Sequence, residues 1–288
     1  MKSVGYIAGE VDRPLDLGKL LQAFRLSANE IDEELSRLAG FLSDIEKPYD
    51  SNEGRHLIRY ALATTSRVGG HFLGQILWGL GGAQPHEFLS SYHLNEVRAR
   101  NGASLSKNSL QHYWEEIFAS QGSSLGATST FGIKLAFNIL FSFLQHGNFP
   151  FGFRSWKWIY LYRKDVVAQG ISLYVAQKVD SWNSFNGQDR IERLRIEDCD
   201  VDDALNSIQI VINERMRWEL FFSLFQISPL YVAYEDVVQN ALNQANVVRE
   251  FLGLGNNALS FREVTLLSKQ EAPIYHQIRA AISDKLLS

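Results

Sequence analysis

The chain of 288 residues holds one cysteine, Cys199. An internal disulfide is excluded, and so is a zinc site built on several thiolates. A lone thiol fits a reducing compartment. Basic residues are not in surplus: 28 Lys and Arg face 32 Asp and Glu, for a net charge of −4 and a pI near 6.0. A general nucleic-acid binder needs the opposite balance, whereas an anionic ligand needs only local cations. Long apolar runs are also missing. The longest, Leu135 to Leu144, contains Asn138 and Ser142 and is too short to span a bilayer, so no transmembrane segment is expected. Met1-Lys2-Ser3-Val4 leads into no apolar stretch of the secretory kind, and the expected location is cytoplasmic. With 45% hydrophobic and 21% charged residues, the chain is ordinary globular material, enough for one large domain and an appendage.

Several catalytic signatures are absent as well. There is no G-x-x-x-x-G-K-[ST] loop, no G-x-S-x-G elbow and no G-x-G-x-x-G after a strand. No Cys/His cluster has ligand spacing. The acidic run Glu197-Asp198-Cys199-Asp200-Val201-Asp202-Asp203 lacks the glycine and the distal glutamate of a calcium loop. Acids at a helix start are favoured by the macrodipole instead. No metal is expected.

What is present centres on residues 58–89. Ile58-Arg59-Tyr60-Ala61-Leu62-Ala63-Thr64 reads as a buried strand. Thr65-Ser66-Arg67-Val68-Gly69-Gly70-His71 reads as a polar turn, and Phe72, Leu73, Ile76, Leu77 and Leu80 then recur at helical spacing. A strand passing through a Gly-rich turn into a helix is suited to gripping a phosphate through backbone N–H groups and the helix dipole. After the helix, Gly79 to Phe88 brings one carboxylate, Glu87, close to the loop. A phosphate cradle with a nearby carboxylate suggests group transfer.

The rest of the chain alternates strands and helices. Strands are expected at Thr130 to Leu135, Trp156 to Tyr162 and Pro229 to Asp236. Helices are expected at Ser104 to Ser120, Asp165 to Asp180, Asn240 to Phe251 and Pro273 to Leu287. A long helix carries Leu205, Ile208, Val211, Ile212, Met216, Leu220 and Phe221 on its inward face. This order predicts an α/β fold, P-loop-like and three-layered, with a central parallel sheet flanked by helices. Residues 1–50 read as an N-terminal helical appendage and 51–288 as the α/β domain. The appendage packs on its own domain, on a second subunit of a homodimer, or on a neighbouring domain. Ligands of such sheets bind beyond the carboxyl ends of the strands, where Ser66, Arg67, Arg163 and Glu235 all fall. On the helix after Arg163, Asp165, Gln169 and Ser172 form a polar stripe, either a solvated face or part of a second anion site.

Several separated segments resemble the bacterial trehalose 2-sulfotransferase family. Tyr162-Arg163-Lys164-Asp165-Val166-Val167-Ala168-Gln169-Gly170-Ile171-Ser172-Leu173, ending at Ser181-Trp182, is similar to its R-x-D-x-V-x-Q-A-V-S segment followed by a tryptophan. The turn resembles its S-x-R-S-G-S-T-L-L loop, and Gly79 to Phe88 its T-G-x-A-G-x-P-x-E-F-F segment. Phe131-Gly132-Ile133-Lys134 resembles its G-G-K strand, and Val232-Ala233-Tyr234-Glu235-Asp236 its V-x-Y-E-D strand end. The resemblance covers roughly residues 57–270. It implies a sulfotransferase that moves a sulfuryl group from 3′-phosphoadenosine 5′-phosphosulfate (PAPS) to a hydroxyl of a carbohydrate, glycolipid or other small-molecule acceptor. Adenosine 3′,5′-bisphosphate leaves, without a metal. It also implies roles for particular residues. Thr65, Ser66, Arg67 and the Val68, Gly69, Gly70 and His71 backbone hold the 5′-phosphosulfate. Arg163 and Ser172 hold the 3′-phosphate. Glu87 is the base, and Lys134 and Arg67 face the transferring group.

The chain departs from that pattern in the loop, and residues 1–50 have no counterpart in it. The family has Ser-Gly-Ser-Thr where this chain has Val68-Gly69-Gly70-His71, so three hydroxyl positions differ and His71 offers a ring nitrogen instead. An inactive binding or assembly module, or an ATP-dependent phosphotransferase, are the alternatives.

Overall fold

The computed structural model describes residues 58–79, 84–90, 93–95, 99, 113, 116–117, 130–145, 153–182, 188–254 and 272–287. The expected appendage of residues 1–50, most of the 104–120 helix and the loops at 122–126 and 147–152 lie outside them.

Four strands make one parallel sheet: β1 (Ile58–Thr64), β2 (Thr130–Ala136), β3 (Lys157–Tyr162) and β4 (Leu230–Ala233), in the order β2-β1-β3-β4. The helices between and after them are α1 (Gly70–Gly79), α2 (Phe137–Gln145), α3 (Val166–Val179), α4 (Gln188–Arg193), α5 (Val201–Leu224), α6 (Tyr234–Gln239), α7 (Ala241–Leu252) and α8 (Pro273–Leu287). In register, Thr64 pairs with Ala136 and Ala63 with Tyr160, so the carboxyl ends of β1, β2 and β3 share one edge.

Side chains alternate across each strand and build a layer on either face. Ala61 and Ala63 of β1 join Phe131, Ile133, Trp158 and Tyr160 against α2 and the second half of α5. These small alanines leave room for an aromatic stack in which Trp158, Trp218 and Phe221 meet edge to face and tilted. On the other face Tyr60, Leu62, Ile159, Leu161 and Val232 pack with α1, α6 and α7. The result is a three-layer α/β fold. Beside it, α3, α4, the start of α5 and α8 share a third cluster built on Ile171, Tyr174, Ile208 and Ile278.

Caps explain the element ends. Asp200 accepts from Asp202 N and Asp203 N, so the acidic run is the start of α5. Asn240 caps α7, and Gly253, left-handed at φ 75, closes it. Two expectations need correction. The last strand stops at Ala233, and Tyr234, Glu235 and Asp236 form the first turn of α6, where acids suit the helix dipole. Ile212 and Met216 of α5 face outward, because the buried stripe is Ala204, Ser207, Ile208, Val211, Trp218, Phe221 and Phe222. Among the described residues no helix is long and apolar enough to cross a membrane.

Candidate active site

β1 ends at Thr64, and the chain turns through residues 65–69 into α1. The Leu73 N–H donates to Gly69 O at 3.2 Å, which makes Gly69 the helix cap. The N–H groups of Gly70, His71 and Phe72 then lack intrahelical acceptors, and no acid in the first turn offsets the positive end of α1. Gly69 has φ 92, and a Cβ there would lie 2.5 Å from Tyr234 Cδ2, so only glycine fits. A Cβ on Gly70 would meet Thr64 Cγ2 at 3.0 Å and Lys134 Cδ at 3.1 Å. Arg67 is also left-handed, at φ 57. Such a conformation costs a non-glycine residue about 1–3 kcal/mol unless its surroundings hold it.

The turn is bonded on several sides. Gln169 of α3, fully buried, donates from Nε2 to Thr65 Oγ1 at 2.7 Å and to Ser66 O at 2.6 Å. Glu214 of α5 accepts from Ser66 N at 2.6 Å and from Ser66 Oγ at 2.7 Å. The Trp218 indole donates to Thr64 O at 3.0 Å. Val68 is buried against the α1 face of the sheet.

Arg67 leads to a first cluster of cations. Its Nε donates to Ser172 Oγ at 3.2 Å and its Nη1 to Trp182 O. Arg163, at the end of β3, stacks on Tyr234 with its Cζ 4.3 Å from the ring centroid. Its Nε is buried without a hydrogen-bond partner among the described residues. Burial lowers the proton affinity of Arg67, and the charge of Arg163 acts the same way. Burial raises the Tyr275 hydroxyl of α8, while the same two guanidiniums act to lower it. Two guanidiniums, the Ser172 hydroxyl and a phenol therefore converge on one side of the turn. Asp165 is otherwise engaged: it caps α3 through Ala168 N and pairs with Arg279 of α8 at 2.6 Å. Glu235 accepts from Lys164 N at 3.0 Å and from Asp165 N at 3.4 Å, which fixes the turn between β3 and α3.

A second cluster forms across α1 and β2. His86 pairs with Ile133 as an isolated parallel bridge, and the Lys134 N–H donates to His86 O at 2.8 Å. That bridge sets Glu87 beside Lys134. Lys134 Nζ donates to Glu87 Oε1 at 2.8 Å, with the lysine side chain 6% exposed and the glutamate 47%. Lys134 Nζ also lies 3.2 Å from Nε2 and 3.3 Å from Nδ1 of His71, so it faces the ring of the residue that replaces a hydroxyl. Burial acts to raise the Glu87 carboxyl, but the Lys134 charge and hydrogen bond outweigh it and hold the carboxyl below its ordinary range. Burial lowers Lys134, partly offset by Glu87. Burial and the Lys134 charge lower His71. Burial, His93 and Lys134 lower His86.

The sequence reading names Thr65 through His71, Glu87, Lys134, Arg163 and Ser172 as site residues. They fall into these two clusters and the turn between them, with Arg67 on the Ser172 side and His71 on the Lys134 side. Glu214, Trp218, Tyr234 and Tyr275 went unassigned. Tyr234 sits in the V-x-Y-E-D match, which was its one signal. Glu214 gave none, since its partner Ser66 lies 148 residues away in sequence.

A search of curated proteins finds no match. The chain is similar in structure to the sulfotransferase domain of the Synechococcus PCC 7002 olefin synthase, with 13% identity, a TM-score of 0.41, and coverage of 82% of this chain and 98% of that one. The family model for Stf0 sulphotransferases matches residues 59–272, which include the turn, Glu87, Lys134, Arg163 and Ser172. The chain belongs to the Stf0 sulphotransferase family.

Proposed function

We propose that the protein transfers a sulfuryl group from PAPS to a hydroxyl of a carbohydrate, glycolipid or similar small-molecule acceptor. The observation that carries this is the Glu87–Lys134 ion pair at 2.8 Å, set against the open end of α1. The unpartnered Nε of Arg163 fits a bound anion on the other side of the turn. PAPS supplies the activated sulfuryl group. Arg163 and Ser172 hold its 3′-phosphate. Arg67, whose Nε donates to Ser172 Oγ, joins them there rather than facing the transferring group as the resemblance implies, and the Gly70 and His71 N–H groups hold the 5′ side. His71, kept neutral by burial and by Lys134, adds a ring N–H in place of the missing hydroxyl.

Glu87 accepts the proton of the acceptor hydroxyl. Its low basicity in the ion pair is a resting property. An anion that draws Lys134 toward itself leaves the carboxylate less stabilised, so Glu87 becomes a stronger base when the site is filled. Lys134 at the same moment faces the charge that grows on the leaving oxygen. Calorimetry with adenosine 3′,5′-bisphosphate and with ATP–magnesium tests the donor. Binding of the bisphosphate alone supports sulfotransfer, binding of ATP–magnesium supports phosphotransfer, and binding of neither leaves an inactive module. Radiolabelled sulfate transfer into a cell extract then identifies the acceptor.

A further inference from the structure

Arg67 holds a strained backbone, and its neighbours in the turn are bonded from distant helices. Its neighbour Ser66 has three polar groups besides its link to the chain, and each is engaged from outside. Glu214 of α5 takes the N–H and the hydroxyl, at 2.6 and 2.7 Å, and Gln169 of α3 donates to the carbonyl at 2.6 Å. Gln169 also holds Thr65 Oγ1 at 2.7 Å. The two helices are themselves locked together through Ile171, Tyr174 and Val175 against Ala204 and Ile208.

We propose that Glu214 and Gln169 form a clamp that positions the donor-binding turn, and that Ser66 serves the clamp rather than the donor. Gripped from both helices, Ser66 keeps Arg67 left-handed and aimed at Ser172. The clamp rests on the reading of this turn as a PAPS site.

The residue types fit the task. Both donors of Ser66 converge on one side chain, and a carboxylate accepts at both oxygens, whereas a glutamine has one accepting oxygen and an NH₂ that cannot accept. A carboxylate next to an anion-binding turn also repels the donor. A residue kept merely to fill that space would be better neutral. Burial pushes Glu214 up, against the two Ser66 hydrogen bonds that favour its charged form.

The test uses the full chain and the variants Glu214→Gln, Glu214→Asp and Ser66→Ala, with three readouts. These are melting temperature, amide hydrogen exchange over residues 64–71, and calorimetric binding of adenosine 3′,5′-bisphosphate. Glu214→Gln is expected to speed exchange of the turn about 10-fold or more and to weaken binding by about 10-fold, the scale of a charge-assisted hydrogen bond. Exchange in β3 should stay unchanged. Ser66→Ala, a milder change that keeps the backbone bond to Glu214, should show a smaller effect in both. Combined with Glu214→Gln it should cost less than the sum of the two. Unchanged exchange in the turn overturns the clamp. Faster exchange with unchanged affinity overturns its role in donor binding. Should Glu214→Gln not fold, Glu214→Asp must show the same paired losses, or the proposal falls. If the wild type protects its turn through Glu214 but binds no bisphosphate, the donor reading has failed and the clamp has not.

Discussion

Glu87 and Lys134 form an uneven pair: the lysine is 6% exposed and the glutamate 47%. The buried cation is the fixed partner, and the carboxylate is the one with room to meet a substrate. Glu87→Gln keeps the shape and loses the base. It is expected to lower sulfuryl transfer by about 10²–10⁴-fold while leaving adenosine 3′,5′-bisphosphate binding intact. Steady-state rates beside calorimetric titrations check this, and near-normal turnover would remove Glu87 from the role. The paired glycines of the turn separate two other effects. Gly69→Ala meets both a positive φ of 92 and the Tyr234 ring at 2.5 Å. It should cost about 1–3 kcal/mol. Gly70→Ala sits in the helical start of α1, and its Cβ meets the flexible Lys134 Cδ at 3.1 Å and a methyl at 3.0 Å. It should cost clearly less, since alanine is also the better helix former. Urea unfolding of both variants decides, and equal losses would show that the turn does not need the left-handed glycine.

Among the elements, α5 does most to hold the site's geometry. From one face it meets three strand ends or turns. Glu214 bonds Ser66, Arg215 Nη1 donates to Arg163 O at 3.2 Å, and Trp218 donates to Thr64 O at 3.0 Å. Trp218→Phe keeps most of the aromatic packing and leaves the Thr64 carbonyl without its indole partner. The expected loss is about 1–3 kcal/mol, read from the urea midpoint at constant m-value. A loss near zero would mean that water or a neighbour replaces the bond. β1 was legible from its run of apolar residues between polar ones, and α8 from its proline start and apolar repeat. The end of β4 was not, because Tyr234-Glu235-Asp236 continues an apolar stretch while its acids serve a helix start. The α5 contacts were not legible either. Ile212 and Met216 suit an inward stripe as well as Trp218 does, and only the packing of α3 and the sheet decides which side is covered. Gln169 and Ser172 stood out only as part of a polar stripe that suits a solvated face as well as a second anion site, and Arg163, just past β3, took its role from the family resemblance. Glu214 had no such local mark.

For the whole molecule, the second cluster makes stability depend on pH. His71 and His86 both have folded-state values below the ordinary imidazole value, through burial first and then through charges that include Lys134. The unfolded chain then takes up protons at a higher pH than the folded one. Stability therefore rises with pH across the window between the lowered folded values and about 6.5, and is fully present above it. Glu87 has the same sign in a lower window. Its folded value is depressed, so the ion pair's contribution is present above about 4.3 and is lost as pH falls through the folded value. Glu214 opposes both, since burial raises its value and favours the protonated form in the fold. Between pH 7.5 and 5.5 Glu87 titrates below the range and Glu214 acts alike in every histidine variant, so the histidine contribution is read from the differences between them. The melting temperature is expected to fall over this interval in the wild type, to fall less in His71→Gln, and least in His71→Gln/His86→Gln. Scanning calorimetry at fixed ionic strength measures it. Parallel slopes in all three proteins would mean that the fold lowers the proton affinity of neither histidine.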